Sequence, residues 1–134
     1  MKQFIFAFGL LTSIGSLALQ AQILVAKIPF DFQVGTKAMP AGNYQIHEKS
    51  RLLTLRRSGS KPMGAVWLTS PEERKDGATS GQLVFKRYGD QYFLKTMWVP
   101  NSREGFVLPQ SSQERELISR SRQVQTAGVS IQRQ

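Results

Sequence analysis

Gln82-Leu-Val-Phe-Lys-Arg-Tyr-Gly-Asp-Gln-Tyr-Phe-Leu-Lys-Thr-Met-Trp-Val99 decides the fold. Two runs rich in β-branched and aromatic residues flank Gly89-Asp90, a two-residue turn that suits the twist of paired strands. With those two residues as the loop, Tyr88 faces Gln91, Phe85 faces Leu94 and Leu83 faces Thr96. Leu83, Phe85, Tyr92, Leu94 and Trp98 then share a core face, while Lys86 and Lys95 point the other way.

The same period of two recurs upstream. Ile28, Phe30, Phe32 and Val34 alternate with Lys27, Pro29, Asp31 and Gln33, which predicts a strand over 27–34 with one wet face. Pro29 has no backbone donor, so the reading places it at an edge or a strand start. Pro40-Ala41-Gly42-Asn43 is a turn signal. Tyr44, Ile46 and Glu48 follow on one face, with Gln45 and His47 on the other. Arg51 to Arg57 gives a strand with Leu53 and Leu55 inward, and Ser58-Gly59-Ser60 a loop. Met63 to Thr69 reads as a strand rich in core-sized residues, including Val66, Trp67 and Leu68. Ser70 to Gly81 reads as an exposed loop, with room for one helical turn after Pro71. Gly105 to Leu108 supplies a short strand.

After Pro109 the texture changes. Ser111-Ser112-Gln113-Glu114 is a capping box, Ser111 capping and Glu114 reaching back. A helix is expected from Glu114 to about Val124, and a frayed tail over 126–134. The expected architecture is all-β: a small antiparallel sandwich or barrel of six to seven short strands, with a short C-terminal helix and frayed tail.

Met1 to Ala21 has the form of an export signal: Lys2, a short apolar run over Phe4–Leu19, and Leu19-Gln20-Ala21 as a cleavage site, with cleavage after Ala18 as the alternative. The run is too short for a comfortable membrane span, and no later segment is long and apolar enough for one. The expected organisation is a signal over 1–21, a β-rich domain over 22–110, a helix over 111–125 and the tail. The expected location is periplasmic or secreted.

There are 134 residues and no cysteine. Disulfides, thiol chemistry and Cys-ligated zinc are excluded, so an exported domain must rest on its core alone. Eighteen basic residues against nine acidic ones give a formal charge of +9. Such an excess favours polyanions, but the charge is scattered, as on an ordinary solvated surface.

Chemistry-bearing patterns are few. His47, the one histidine, adjoins Glu48, but strand neighbours point apart, and a histidine metal site needs further ligands. Asp31, Glu48, Glu72, Glu73, Asp76, Asp90, Glu104, Glu114 and Glu116 are candidate carboxylates for glycoside hydrolysis, most of them in loops, turns or the terminal helix. No Gly-x-Ser-x-Gly elbow and no phosphate-cradling loop occurs. No cofactor is expected. Lys86, Arg87, Tyr88 and Lys95 on the hairpin, with Arg115, Arg120 and Arg122 in the tail, are the candidate polyanion-binding residues, since aromatics beside cations stack bases or sugars and grip phosphate.

Three segments carry a resemblance: Lys27-Ile-Pro-Phe-Asp-Phe-Gln-Val-Gly35, Met39-Pro-Ala-Gly-Asn-Tyr-Gln-Ile46 and Leu83-Val-Phe-Lys-Arg-Tyr-Gly-Asp-Gln-Tyr-Phe-Leu94, closed by Leu108-Pro109 and Ser112-x-Glu114-Arg115-Glu116-Leu117. In this order they resemble a group of small exported proteins of unknown function, frequent in acidobacteria and related soil bacteria. Met39 stands where leucine is expected. The resemblance implies export and a compact β-rich module, and no activity.

The expected function is a non-enzymatic binding or scaffolding module of the cell envelope, its partner an anionic envelope polymer or another envelope protein. The alternatives are a binder of anionic polymer or membrane surface through the hairpin cations and basic tail, and a small hydrolase using a carboxylate or serine site. Specific nucleic-acid binding is not expected.

Overall fold

The structure is a computed structural model that describes residues 23–59, 63–120 and 123–134. The expected export signal over 1–21 and Arg122 lie outside these residues. In chain order the strands are β1 (Leu24–Ile28), β2 (Phe32–Val34), β3 (Lys37–Met39), β4 (Gly42–Lys49), β5 (Leu52–Arg57), β6 (Gly64–Leu68) and β7 (Ser70–Glu73). After these come β8 (Gln82–Tyr88), β9 (Gln91–Trp98), β10 (Glu104–Val107), helix α1 (Ser112–Arg120), β11 (Gln125–Ser130) and β12 (Gln132–Arg133).

They form a two-sheet sandwich. One sheet runs β12-β1-β4-β5-β6, and the other runs β11-β8-β9-β10-β7 with β2 and β3 attached. The chain changes sheet between β6 and β7 at Thr69, and between β11 and β12 at Ile131, so consecutive strands edge both sheets. Both residues are buried and hydrogen-bonded: Thr69 N donates to Arg51 O at 2.8 Å and Ile131 N to Gly81 O at 3.0 Å.

Inner faces follow the alternation. Leu24, Ala26, Ile28, Tyr44, Ile46, Leu53, Leu55 and Ala65 face Phe32, Val34, Leu83, Phe85, Leu94, Met97, Phe106 and Val129. Phe32 meets Tyr44 and Phe85 edge-on, its ring centroid 5.3 and 5.4 Å from theirs, and so joins the sheets. Each large side chain buried here stabilises the fold by about 1.5–3 kcal/mol, and no covalent link adds to that.

The hairpin holds at its turn and bends in its middle. Tyr88 faces Gln91 and Phe85 faces Leu94, but Val84 faces Thr96. Lys95 is therefore an extra residue, a β-bulge that reverses the alternation beyond it. Leu83 faces Met97, not Thr96, and Met97 rather than Trp98 takes the core position. Trp98 turns outward over Gly105, where a Cβ would lie 2.2 Å from its ring, and the Arg74 guanidinium sits 4.8 Å from its centroid. The bulge also lets β9 take two partners on one edge: β2 beside Phe93, and β10 beside Thr96–Trp98.

Other expectations are corrected by the same rules. The segment 27–34 is two strands in different sheets, because Pro29 cannot donate and the chain crosses over at 29–31. Ile28, Phe32 and Val34 reach the core all the same, and Phe30 packs against it. In β6 the inward residues are Ala65 and Trp67, which leaves Val66 and Leu68 outside. The expected loop after Ser70 begins as β7, an exposed edge strand held by backbone pairing with β10, where Pro71 is tolerated. Helix α1 covers Ser112–Arg120, and residues 123–124, at the expected end of the helix, are not helical. The tail is not frayed: β11 pairs along β8, and Val129 and Ile131 enter the core. Short, weakly apolar strands of this kind account for the twelve observed where six or seven are expected.

Candidate functional site

The hairpin cations do not form one patch. Lys86 and Arg87 are strand neighbours and point to opposite faces. Lys86 Nζ donates to Thr126 Oγ1 at 3.2 Å. Arg87 Nε donates to Gly89 O at 2.7 Å, Nη1 donates to Gln125 Oε1 at 3.3 Å, and its guanidinium lies 5.4 Å from the Tyr92 centroid. Lys95 Nζ donates to Leu108 O at 3.2 Å from the bulge. Arg120 pairs with Glu116 at 2.7 Å, and Arg115 is exposed on α1.

Tyr88 is not an exposed stacking ring. It is buried, and its hydroxyl donates to Glu114 Oε1 at 3.0 Å. Burial first, then the Glu114 hydrogen bond and the Glu114 charge, push its pKa up to about 12. Ser111 Oγ does accept the Glu114 N–H at 3.1 Å, as a capping serine should. The Glu114 oxygen, however, turns inward to Tyr88 rather than back along the helix.

His47 and Glu48 also part. His47 lies opposite Thr54 on the outward face, and Glu48 lies opposite Leu53 on the inward one. Among the described residues, no three His, Asp or Glu side chains come together as a metal-binding group.

A different arrangement stands out at the end of the sandwich beside the hairpin turn. The β2–β3 hairpin turns at Gly35 (φ +60), and the β2–β9 pairing sets Gln33 beside Phe93. This brings Asp31, Phe32 and Gln33, Ala38 to Pro40, Met63, and Asp90 to Tyr92 around one cleft of about 430 Å³.

The cleft has apolar walls and acceptors. Phe32 and Met39 are buried, and Tyr92 is half-buried, stacked on Phe30 with centroids 3.8 Å apart. Asp31 Oδ1 accepts the Ala41 N–H at 2.9 Å. Asp31 and Asp90 are both exposed, which suits receiving a ligand's donors. Gln33 Oε1 is buried and has no hydrogen-bond partner. Behind the cleft, Tyr44 donates its hydroxyl to Pro40 O. Its pKa is raised chiefly by burial and further by Asp31, against the opposing effect of Arg57.

Sequence reasoning names Asp31 and Asp90 among nine carboxylates but does not join them. The signal that joins them is the parallel β2–β9 contact, which no local spacing encodes. Compared with family models, curated proteins and solved structures, the chain gives no match.

Proposed function

We propose that the chain is an exported, non-enzymatic β-sandwich that acts in the cell envelope as a binding module, with the cleft between β2–β3 and the β8–β9 turn as its ligand seat. One observation carries the reading: Gln33, which lines that cleft, has a side-chain oxygen that is buried and without a hydrogen-bond partner. A buried unpaired acceptor costs about 1–3 kcal/mol, a cost that a donor arriving on a ligand would remove.

The chemistry around it selects the ligand. Two exposed carboxylates in the lining attract positive charge, and the half-buried Met63 and Tyr92 offer apolar contact. A lysine or arginine side chain of another envelope protein has both features, a donor-bearing cation on an apolar stem. Export is supported by the form of Met1–Ala21 and by the resemblance.

Fractionation of producing cells, with the N-terminus read by mass spectrometry, tests the location. An envelope or medium form beginning near Gln22 is expected, and an unprocessed cytoplasmic form refutes export. Titration of isotope-labelled protein with a short lysine-containing peptide tests the seat. Saturable shifts at the Gln33 side-chain amide and the Tyr92 backbone amide are expected, weakened by Asp90→Asn. Unmoved signals there refute the seat, and turnover of a substrate refutes the non-enzymatic reading.

A further inference from the structure

The outward face of the β12-β1-β4-β5-β6 sheet is unlike the rest of the surface. Read across the strands, one row is Lys49–Leu52–Leu68 and the next sets Thr54 beside Val66. In the row after that, Arg56 lies opposite Gly64. Leu52, Val66 and Leu68 are 45%, 56% and 63% exposed, and they adjoin at one corner. Lys49, Arg51 and Arg56 flank them. No Asp or Glu holds an outward position on β1, β4, β5 or β6. Glu48, the one acid in these strands, is on the inward face, where its carboxylate accepts the Arg51 N–H. Arg51 itself sits at φ +66 in a turn that glycine or asparagine would fill with less strain.

We propose that this corner docks on a membrane surface rich in anionic lipid. Leu52, Val66 and Leu68 enter the boundary between headgroups and acyl chains, while Lys49, Arg51 and Arg56 meet the headgroup charges. Charge complementarity selects the occupant, because a cationic face free of outward carboxylates matches an anionic surface. The aliphatic side chains separate a membrane from a soluble polyanion. A polyanion rewards the cations alone, whereas a bilayer also takes up apolar side chains. The corner shares no residue with the cleft described above, so the two readings stand or fall separately.

The test is flotation of the protein, as recovered from producing cells, with vesicles of equimolar phosphatidylglycerol and phosphatidylcholine, and with phosphatidylcholine alone. All variants share one N-terminus, so differences between them report the sheet. Binding to the anionic vesicles is expected to weaken as salt rises. Lys49→Gln and Arg56→Gln are each expected to weaken it about fivefold. The double variant Val66→Ser/Leu68→Ser is expected to weaken it at least about tenfold. If that double variant does not fold, Val66→Thr keeps the branched shape and is expected to weaken binding in the same direction.

Several results overturn the proposal. They are no flotation with either vesicle, equal flotation with both, or binding that Val66 and Leu68 substitutions leave unchanged. Binding to soluble polyphosphate without binding to the anionic vesicles also overturns it. So does saturable addition of a peptide strand at the β6 edge without vesicle binding.

Discussion

Tyr88 donates its hydroxyl hydrogen to Glu114 Oε1 at 3.0 Å, and both residues are buried. This contact ties α1 to the outer face of β8. The helix is short and Leu117 is only half-buried, so its apolar face contributes little and the polar contact matters more. Phe93 supports the tyrosine ring edge-on, with centroids 5.8 Å apart.

Tyr88→Phe should therefore leave a buried carboxylate without its donor and destabilise the protein by about 1–3 kcal/mol. Glu114→Gln, which keeps an acceptor and removes the charge, should lose less. Urea denaturation measures both. The pH dependence has a definite sign. The tyrosine pKa is about 12 in the folded protein, against 10.0 for the free group. Its contribution is whole below pH 10. Above that the unfolded chain sheds the proton while the folded protein keeps it, so stability falls up to about pH 12. Tyr88→Phe should lack this component of the fall; an identical profile would show that the tyrosine does not carry it.

Two glycines with the same backbone sign should respond differently. Gly35 (φ +60) opens the β2–β3 turn, and a Cβ there would lie 2.2 Å from the Trp67 ring. Gly89 (φ +61) opens the β8–β9 turn with nothing near its missing Cβ. Gly89→Ala should cost about 1–2 kcal/mol, the backbone term alone. Gly35→Ala should cost more and should shift the Trp67 fluorescence as well. Equal losses, or an unmoved emission spectrum, would mean that Trp67 does not pack on Gly35.

The difference between legible and hidden features follows the range of the forces involved. The Gly89-Asp90 turn and the Phe85–Leu94 pair are local, and alternation with turn chemistry suffices to read them. The bulge at Lys95 is not local in that sense. Leu94, Thr96 and Trp98 alternate as smoothly as any unbroken strand, and only Met97 set against Leu83 reveals the reversal. Of the candidate cations, Lys86 and Arg87 were legible as residues but not as partners of the tail, whose β11 supplies Thr126 and Gln125. The cleft is hidden because Asp31 and Asp90 come to line it only through pairing between strands distant in sequence.

Gln33 offers a test that separates binding from stability. Its oxygen is buried and unpaired in the free protein. Gln33→Met keeps the length of the side chain and removes the polar atom. It should leave the melting temperature unchanged or raise it, with a gain of up to about 1–2 kcal/mol. The same substitution should weaken capture of a lysine-bearing peptide, because the acceptor is gone. A loss of stability would mean that the amide already has a structural partner.

Ile131 tests the end of the chain. Ala127, Val129 and Ile131 alternate with polar residues, a period of two that short length and polar neighbours disguise as a frayed end. In the fold, Val129 lies opposite Leu83, and Ile131 is buried where the chain passes from β11 to β12. Ile131→Ala should destabilise by about 2–5 kcal/mol, the usual cost of emptying such a core position. Removing residues 125–134 should be worse, since it strips the backbone partners of β8 and opens the edge of a central hairpin to other chains. Loss of the cooperative thermal transition, with aggregation, is the expected result. A truncated chain that melted like the intact one would mean that the tail adds nothing to the sandwich.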